Sequence, residues 1–255
     1  MSILRYGWRP RVAVRLALVL LHIARGFWII RWQFPRLQAQ ERQRHVQRWA
    51  GQMLRAMGIT LNQQGPRLDE GPVLLVANHI SWLDILVLHA RGYCRFISKA
   101  DVRRWPLIGF MADGAGTLFI ERESRRDAHR VVQHMTERLQ AGDVLAVFPE
   151  GTTGDGIVLK PFHANLIQAA ILAGAPVQPV ALRFIDGPSG QTSHAPRFVD
   201  DDTLVVSVLR TLAARGLHAQ VISGEPEHHA GRDRRQWAQD LHGKVQAMRQ
   251  GPQRL

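Results

Sequence analysis

A short apolar run that leads into a histidine constrains the fold of this chain most strongly. Residues 72–77 read PVLLVA, a composition typical of a buried strand. His79 follows, and residues 82–88 then place apolar side chains at helical spacing. A buried strand that runs into a helix is typical of α/β folds, whose functional sites lie where the strands end. We therefore expect His79 at the rim of a sheet.

Asp84 lies at the start of that predicted helix, within about one helical turn of His79. If Asp84 accepts a hydrogen bond from one imidazole nitrogen, the other nitrogen can take a proton from a substrate hydroxyl. The pattern thus predicts His79 as a general base and Asp84 as its orienting partner. A structural interpretation fits as well, because Ser81-x-x-Asp84 matches a helix capping box.

A glycine-rich loop follows a second predicted strand. Residues 144–148 read VLAVF and continue into PEGTTGDG, which carries three glycines. Such a loop can turn backbone amides toward an anion or a developing oxyanion. Glu150 in this loop either contacts a ligand or fixes the loop as a hydrogen-bond acceptor. If both strands run in the same direction, the loop shares a rim with His79.

Helices alternate with short apolar strands along the remaining chain. Strands are predicted near residues 72–77, 93–97, 117–120, 144–148, 177–182 and 218–222, and helices near residues 36–57, 82–88, 124–141, 163–173, 203–214 and 232–248. This order predicts the α/β class, with one catalytic domain over residues 61–255. Its central sheet is expected to be largely parallel or mixed and covered by helices on both faces. Residues 1–60 are expected to form a basic amphipathic helical segment that anchors the domain to a membrane.

The positive charge of the chain is concentrated in that first segment. The formal net charge is +12, and residues 1–60 hold eleven arginines against one acid, Glu41. The rest of the chain is nearly balanced, with 22 basic and 20 acidic residues. This distribution argues against a nucleic-acid groove across the domain, and no nucleic-acid partner is predicted.

Residues 12–34 are mostly apolar, and a helix there would carry its polar residues on one narrow arc. That arc contains Arg11, Arg15, His22 and Arg25. The pattern favours a helix that lies in the membrane interface, with residues 1–34 contacting an anionic surface through head-group phosphates. The alternative is an amphipathic helix docked on its own domain. A signal peptide is disfavoured, because the apolar run is short and no small-residue cleavage site follows it.

Cysteine and motif content exclude several other chemistries. The single cysteine, Cys94, excludes an internal disulfide, and no cysteine and histidine spacing predicts a zinc site. No metal and no cofactor are predicted, and a reducing compartment is favoured. The chain also lacks G-x-S-x-G, so a covalent serine intermediate has no obvious position.

Taken together, the two motifs resemble a known family. Asn78, His79, Ser81 and Asp84 match N-H-x-S-x-x-D, and residues 148–152 match F-P-E-G-T. These are the signature of the glycerolipid acyltransferases related to 1-acylglycerol-3-phosphate O-acyltransferase, a family to which lyso-ornithine lipid acyltransferases are similar. Two weaker elements match over residues 99–122 and 177–180, so the resemblance covers about residues 70–182.

The resemblance implies transfer of a fatty acyl group from a thioester of coenzyme A or acyl carrier protein to a lysolipid hydroxyl. His79 would be the general base and Asp84 its partner. The acceptor would be held by Lys99, Arg122, Glu150, Gly151 and Thr152. The thioester is a co-substrate, acyl carrier protein is a possible partner, and the expected location is the cytoplasmic face of the cell inner membrane.

Two departures from the family pattern affect the acceptor. Thr153 stands where F-P-E-G-T-R carries an arginine, and His163 stands where F-K-x-G carries a lysine. A hydroxyl cannot give phosphate the bidentate charged contact of a guanidinium. Lys160 lies close enough in sequence to replace one of the two missing cations. Lysophosphatidic acid remains the default acceptor of the family, and a lyso-ornithine lipid is its competitor.

A rival class of function keeps the same residues without catalysis. In it the chain is a basic membrane- or nucleic-acid-binding protein, and His79 and Asp84 only cap a helix. The two classes differ in whether replacement of His79 abolishes the measurable function.

Overall fold

A seven-stranded mixed sheet forms the centre of the protein in a computed structural model that describes residues 10–67, 70–120, 125–199 and 202–251. The strands are β1 (Ile59–Gln64), β2 (Val73–Ala77), β3 (Arg95–Lys99), β4 (Leu118–Ile120), β5 (Val144–Val147), β6 (Val177–Asp186) and β7 (Leu217–Ser223). Their order across the sheet is β1-β7-β6-β2-β5-β3-β4. Neighbouring strands are parallel except β6 and β7, which pair antiparallel.

Helices precede, connect and follow these strands. They are α1 (Pro10–Trp28), α2 (Ala39–Met57), α3 (Leu83–Arg91), α4 (Ala100–Arg103), α5 (Ile108–Gly114), α6 (Arg125–Gln140), α7 (Gln168–Ala173), α8 (Leu204–Ala213) and α9 (Arg234–Gln250). After α1 the chain continues as one π-helical turn (Ile29–Gln33) and one 3₁₀ turn (Phe34–Arg36).

The two faces of the sheet carry separate apolar cores. In β2, Val73, Leu75 and Ala77 point to one face and pack with α1, α2, α3 and α8. Leu74 and Val76 point to the other face and pack with α6, α7 and α9. All five residues are buried, as expected for a central strand whose side chains alternate between two covered faces. The predicted α/β class with helices on both faces is confirmed.

Two element boundaries differ from the prediction, and one strand was missed. β1 reads ITLNQQ, whose polar side chains do not look like a core strand, yet it pairs in parallel with β7 at the edge of the sheet. β6 continues to Asp186 because β7 pairs with its second half. The helix expected from residue 163 begins at Gln168. The boundary predicted at residue 60 falls within β1, and the division into two segments stays a prediction.

Arg11 and Arg15 of α1 donate hydrogen bonds to the protein, so the expectation that these two arginines face lipid head groups is wrong. Arg11 donates a hydrogen bond to Ala213 O over 2.8 Å. Arg15 donates to Leu212 O and Ala214 O, each over 2.8 Å. These carbonyls lie at the end of α8, where the helix has no backbone donors left for them. The two guanidinium groups supply those donors.

The rest of the polar arc packs on α2. A ring nitrogen of His22 lies 2.9 Å from Trp49 O, and the two rings stack with centroids 5.1 Å apart. Arg25 donates to Gln52 Oε1 over 3.2 Å. The polar side of α1 therefore faces the domain, and its aliphatic and aromatic side faces outward.

That outward side forms an apolar surface shared with α5. We call it the apolar face; its members are Val14, Leu18, Leu20, Leu21, Phe27, Trp28, Trp32, Trp105, Leu107 and Ile108, all exposed. The rings of Phe27 on α1 and Phe110 on α5 lie 4.4 Å apart and join the two helices. Within the described ranges, the continuous helical stretch Pro10–Arg36 is the one long and apolar enough to cross a membrane, judged by length and composition.

Two side-chain truncations, one in the core of the sheet and one on the surface, are expected to differ greatly in their effect on the free energy of unfolding. Leu145 in β5 is completely buried, whereas Val205 on α8 is 59% exposed. Leu145→Ala is expected to lower the free energy of unfolding by about 2–5 kcal/mol, because it removes packed atoms and leaves a cavity. Val205→Ala should change it by less than about 0.5 kcal/mol. Urea unfolding in detergent measures both, and equal effects would contradict the assigned core.

Candidate active site

The end of β2 is held by an asparagine that extends the sheet by one residue. The buried Asn78 donates through Nδ2 to Leu182 O over 3.1 Å and accepts from Leu182 N at Oδ1 over 2.7 Å. β6 continues beyond the last residue of β2, so its backbone groups need these partners. The asparagine fixes the turn from which His79 leaves the strand.

One carboxylate oxygen holds the whole His79 turn. Asp84 Oδ2 lies 2.8 Å from His79 Nδ1 and accepts from Ile80 N over 2.6 Å and from Ser81 N over 2.8 Å. The Asp84 side chain is fully buried, whereas 18% of the His79 side chain is exposed. This geometry assigns Nδ1 to Asp84 and leaves Nε2 as the nitrogen that can exchange a proton with a ligand.

The structural role of the same motif is present together with this contact. Leu83 N, at the start of α3, donates to Ser81 Oγ over 3.2 Å, and Ser81 Oγ donates to Pro196 O. The Asp84 carboxylate accepts from Ser81 N, which is one half of the predicted capping box, whereas Asp84 N donates to Ser81 O and not to Ser81 Oγ. The backbone of the turn before α3 and the orientation of the histidine thus use one aspartate.

An aromatic stack fixes the plane of the imidazole. The ring of Phe148, directly after β5, lies 3.9 Å from the His79 ring with 6° between their planes. Phe96 of β3 lies behind Phe148 at 5.7 Å. Neither ring has a role that the sequence pattern predicts. The available signal was an aromatic residue at the end of a strand, directly before a glycine loop.

Glu150 joins the glycine loop to the histidine turn. Its Oε1 accepts from His79 N over 2.7 Å, and its Oε2 accepts from Lys160 N over 2.9 Å. The predicted common rim is therefore confirmed. Both oxygens serve backbone amides and the residue is 5% exposed, which favours the loop-fixing role over direct ligand contact. Burial raises the pKa of Glu150, while the two amide hydrogen bonds oppose that shift.

Two of the three glycines in the loop donate their amides within the protein. Gly151 N donates to Phe148 O over 3.1 Å, and Gly154 N donates to His79 O over 2.7 Å. Gly151 has φ of +72°, a value that favours glycine. The expected cradle of amides turned toward an anion is not made by these two groups, because Gly151 N closes the loop on itself and Gly154 N joins the loop to the histidine turn.

The other predicted binding residues do not share the buried position of Glu150. Lys99 at the end of β3, Gly151 and Thr152 are exposed. Arg122 lies outside the described residues. The Lys160 ammonium donates to Thr153 O over 2.8 Å, so a cation stands beside the position where the family carries arginine. In the described ranges, no group of three or more His, Cys, Asp or Glu side chains could hold a metal ion.

The buried carboxylate predicts a pH-dependent stability difference. Because the pKa of Glu150 is raised above its ordinary 4.5 in the fold, the folded protein binds this proton more tightly than the unfolded chain. The stability that the protonated Glu150 contributes is fully present below pH 4.5 and is lost as the pH rises through the pKa of Glu150 in the folded protein. Urea unfolding of the wild type and Glu150→Gln across that range should show their difference in unfolding free energy changing in this direction. A constant difference would contradict the assignment.

Comparison with known proteins agrees with this site. The Acyltransferase family matches residues 38–183, more than half of the chain. The lyso-ornithine lipid O-acyltransferase of Pseudomonas aeruginosa is 39% identical over 92% of this chain and 90% of that protein. The 1-acyl-sn-glycerol-3-phosphate acyltransferase of Neisseria gonorrhoeae is 42% identical over 56% of each chain.

A solved structure supports the fold independently. The crystal structure of the 1-acyl-sn-glycerophosphate (LPA) acyltransferase PlsC from Thermotoga maritima superimposes with a TM-score of 0.67 at 17% identity. It covers 96% of this chain and 100% of that chain. At this identity the match shows a common fold. The family match over more than half of the chain and the similarity to the Pseudomonas enzyme over nearly its whole length show that this chain belongs to the Acyltransferase family and is an acyltransferase.

Proposed function

We propose that this enzyme transfers a fatty acyl group from an acyl thioester to the hydroxyl of a lysolipid, with His79 as general base. The observation that carries the proposal is the 2.8 Å contact between His79 Nδ1 and the buried Asp84 carboxylate. It commits one ring nitrogen to the protein and leaves Nε2 outside this contact, on a side chain that is 18% exposed. Coenzyme A and acyl carrier protein are both candidate carriers of the thioester.

The proposed reaction uses His79 as its one base. His79 Nε2 takes the proton of the lysolipid hydroxyl as its oxygen attacks the thioester carbonyl. The tetrahedral intermediate collapses, the carbon–sulfur bond breaks, and the imidazolium returns the proton to the leaving thiolate. Asp84 stabilises the imidazolium between these steps, and the flat contact with Phe148 keeps the ring in its plane.

A lyso-ornithine lipid is the acceptor we propose. The relatives that act on it include one that matches nearly the whole chain, and Thr153 lacks the guanidinium with which phosphate is bound most strongly. Lysophosphatidic acid is the second candidate. It is supported by the 42% identity to the gonococcal enzyme over 144 residues and by the Lys160 ammonium beside Thr153.

The enzyme is proposed to work at a membrane surface, on the cytoplasmic face of the cell inner membrane. The apolar face of α1 and α5 supports this location, because exposed patches of aromatic and aliphatic side chains mark lipid or protein contacts. The lysolipid and the product both remain in the bilayer. Contact through apolar side chains replaces the arginine-mediated contact expected from the sequence.

Replacing His79 tests the general base. His79→Ala and Asp84→Asn are each expected to lower acyl transfer by about 10²- to 10⁴-fold, since the proton on the hydroxyl has no acceptor of the right orientation. Transfer of a labelled acyl group from a thioester to a panel of lysolipids measures this loss. His134→Ala is the matched control, because His134 lies on the exposed side of α6 beside Glu137. Normal turnover in His79→Ala would exclude the mechanism and favour a non-catalytic role.

Replacing outward side chains tests the membrane contact. Leu21 and Trp28 are 69% and 53% exposed on α1, and Leu172 is 56% exposed on α7, which packs on the opposite face of the sheet. The double variant Leu21→Ser and Trp28→Ser should lower the fraction bound to phosphatidylglycerol vesicles by about tenfold or more, because two apolar side chains are lost from the contact. Leu172→Ser should bind as the wild type does. Equal flotation of all three proteins would contradict the proposed surface.

A further inference from the structure

A charged cavity adjoins the histidine turn and takes no part in the chemical steps proposed for acyl transfer. Its volume is about 210 Å³, and its wall includes Ile80, Asp155, Ile157, Arg183 and Arg249. Ile80 directly follows His79, and Gly154, which precedes Asp155, donates to His79 O over 2.7 Å. The cavity and the catalytic turn therefore share one wall.

Two guanidinium groups from different elements line this cavity, each held by a backbone carbonyl. Arg183 in β6 donates to Gly251 O over 3.0 Å. Arg249 in α9 donates to Gly156 O over 2.6 Å. These anchors restrict the side chains, so that less conformational entropy is lost when a ligand binds.

A carboxylate lies on the same wall. Asp155 Oδ1 accepts from Ile157 N over 2.8 Å and from Val158 N over 3.1 Å. These amide hydrogen bonds lower the pKa of Asp155, so the group is ionised at neutral pH. The cavity thus presents two positive groups and one negative group to the same small volume.

We propose that this cavity binds the amino-acid head group of the acceptor, with the carboxylate of ornithine on Arg183 and Arg249 and its side-chain amine on Asp155. The inference rests on the proposed function and names the head-group subsite for it. A zwitterion satisfies both signs of charge in the cavity. A phosphate would also meet the guanidinium groups, but it would be repelled by the ionised Asp155.

Size and surroundings agree with a head group. About 210 Å³ is less than the roughly 300–1,000 Å³ of pockets that enclose drug-sized ligands, so the cavity can take a polar head and not an acyl chain. Ile157 in its wall is 63% exposed, and Val158, which follows it in the chain, is 66% exposed. They offer an apolar surface on which the chain of a lipid can leave the cavity. The cavity also supplies cations that Thr153 and His163 do not.

The test compares two acceptors on purified full-length protein in detergent. Dissociation constants for lyso-ornithine lipid and lysophosphatidic acid are measured by calorimetry, and KM and kcat are measured for both. Arg183→Gln and Arg249→Gln should each weaken lyso-ornithine lipid binding and raise its KM by about tenfold or more, with kcat nearly unchanged. Asp155→Asn should weaken binding of lyso-ornithine lipid and strengthen binding of lysophosphatidic acid.

Two controls separate binding from folding. Arg232 also donates to backbone carbonyls, but it lies just before the start of α9, away from the cavity. Arg232→Gln should therefore leave the dissociation constants of both lipids unchanged. General destabilisation cannot produce the opposite responses of the two lipids to Asp155→Asn, so that variant remains informative if an arginine variant folds poorly.

The outcomes distinguish this inference from the function on which it rests. If wild-type protein binds lyso-ornithine lipid with the predicted charge dependence and transfers no acyl group, the proposed function fails and the subsite stands. If acyl transfer proceeds and neither arginine variant changes the KM or the dissociation constant of lyso-ornithine lipid, the subsite is overturned. It is also overturned if the arginine variants weaken only lysophosphatidic acid, because the cavity then binds a phosphate head group.

Discussion

The contact of one Asp84 oxygen with three donors is the interaction on which this site depends. It joins the His79 imidazole to the backbone amides of Ile80 and Ser81, and it does so inside the protein, where the carboxylate has no exposed surface. A hydrogen bond to a charged group is strong in such surroundings. The turn between β2 and α3 can therefore hold the imidazole in one orientation and leave Nε2 outside the contact with Asp84.

The rest of the fold brings other elements to this turn. The parallel arrangement of β2 and β5 carries the glycine loop to the same rim, and Glu150 then links the loop to the His79 backbone. The antiparallel pair β6 and β7 extends one side of the sheet beyond β2. That extension places Arg183 in the same cavity wall as Ile80 of the His79 turn and Arg249 at the end of α9. The apolar face of α1 and α5 is formed by other elements than these.

The sequence predicts the parts that depend on local pattern. Apolar runs locate β2 and β5, the motif residues locate the His79 turn, and helical spacing locates α6 and α9. Residues whose role depends on a distant partner are not visible in this way. The arginines of α1 illustrate this limit: their arc indicates a polar side, but only the packed structure shows that the side caps α8. Arg249 of α9 donates to Gly156 O in the glycine loop, 93 positions earlier in the chain, and no local pattern connects the two.

The orientation of the His79 ring is the central claim, and ¹⁵N NMR of histidine-labelled protein tests it most directly. At a pH where the ring is neutral, the contact with Asp84 predicts that Nδ1 carries the proton and that Nε2 is unprotonated. Asp84→Asn should alter that tautomer balance, because the charged acceptor is gone. A wild-type spectrum with the proton on Nε2 would contradict the account, since the nitrogen assigned to the substrate hydroxyl would then be unable to accept its proton.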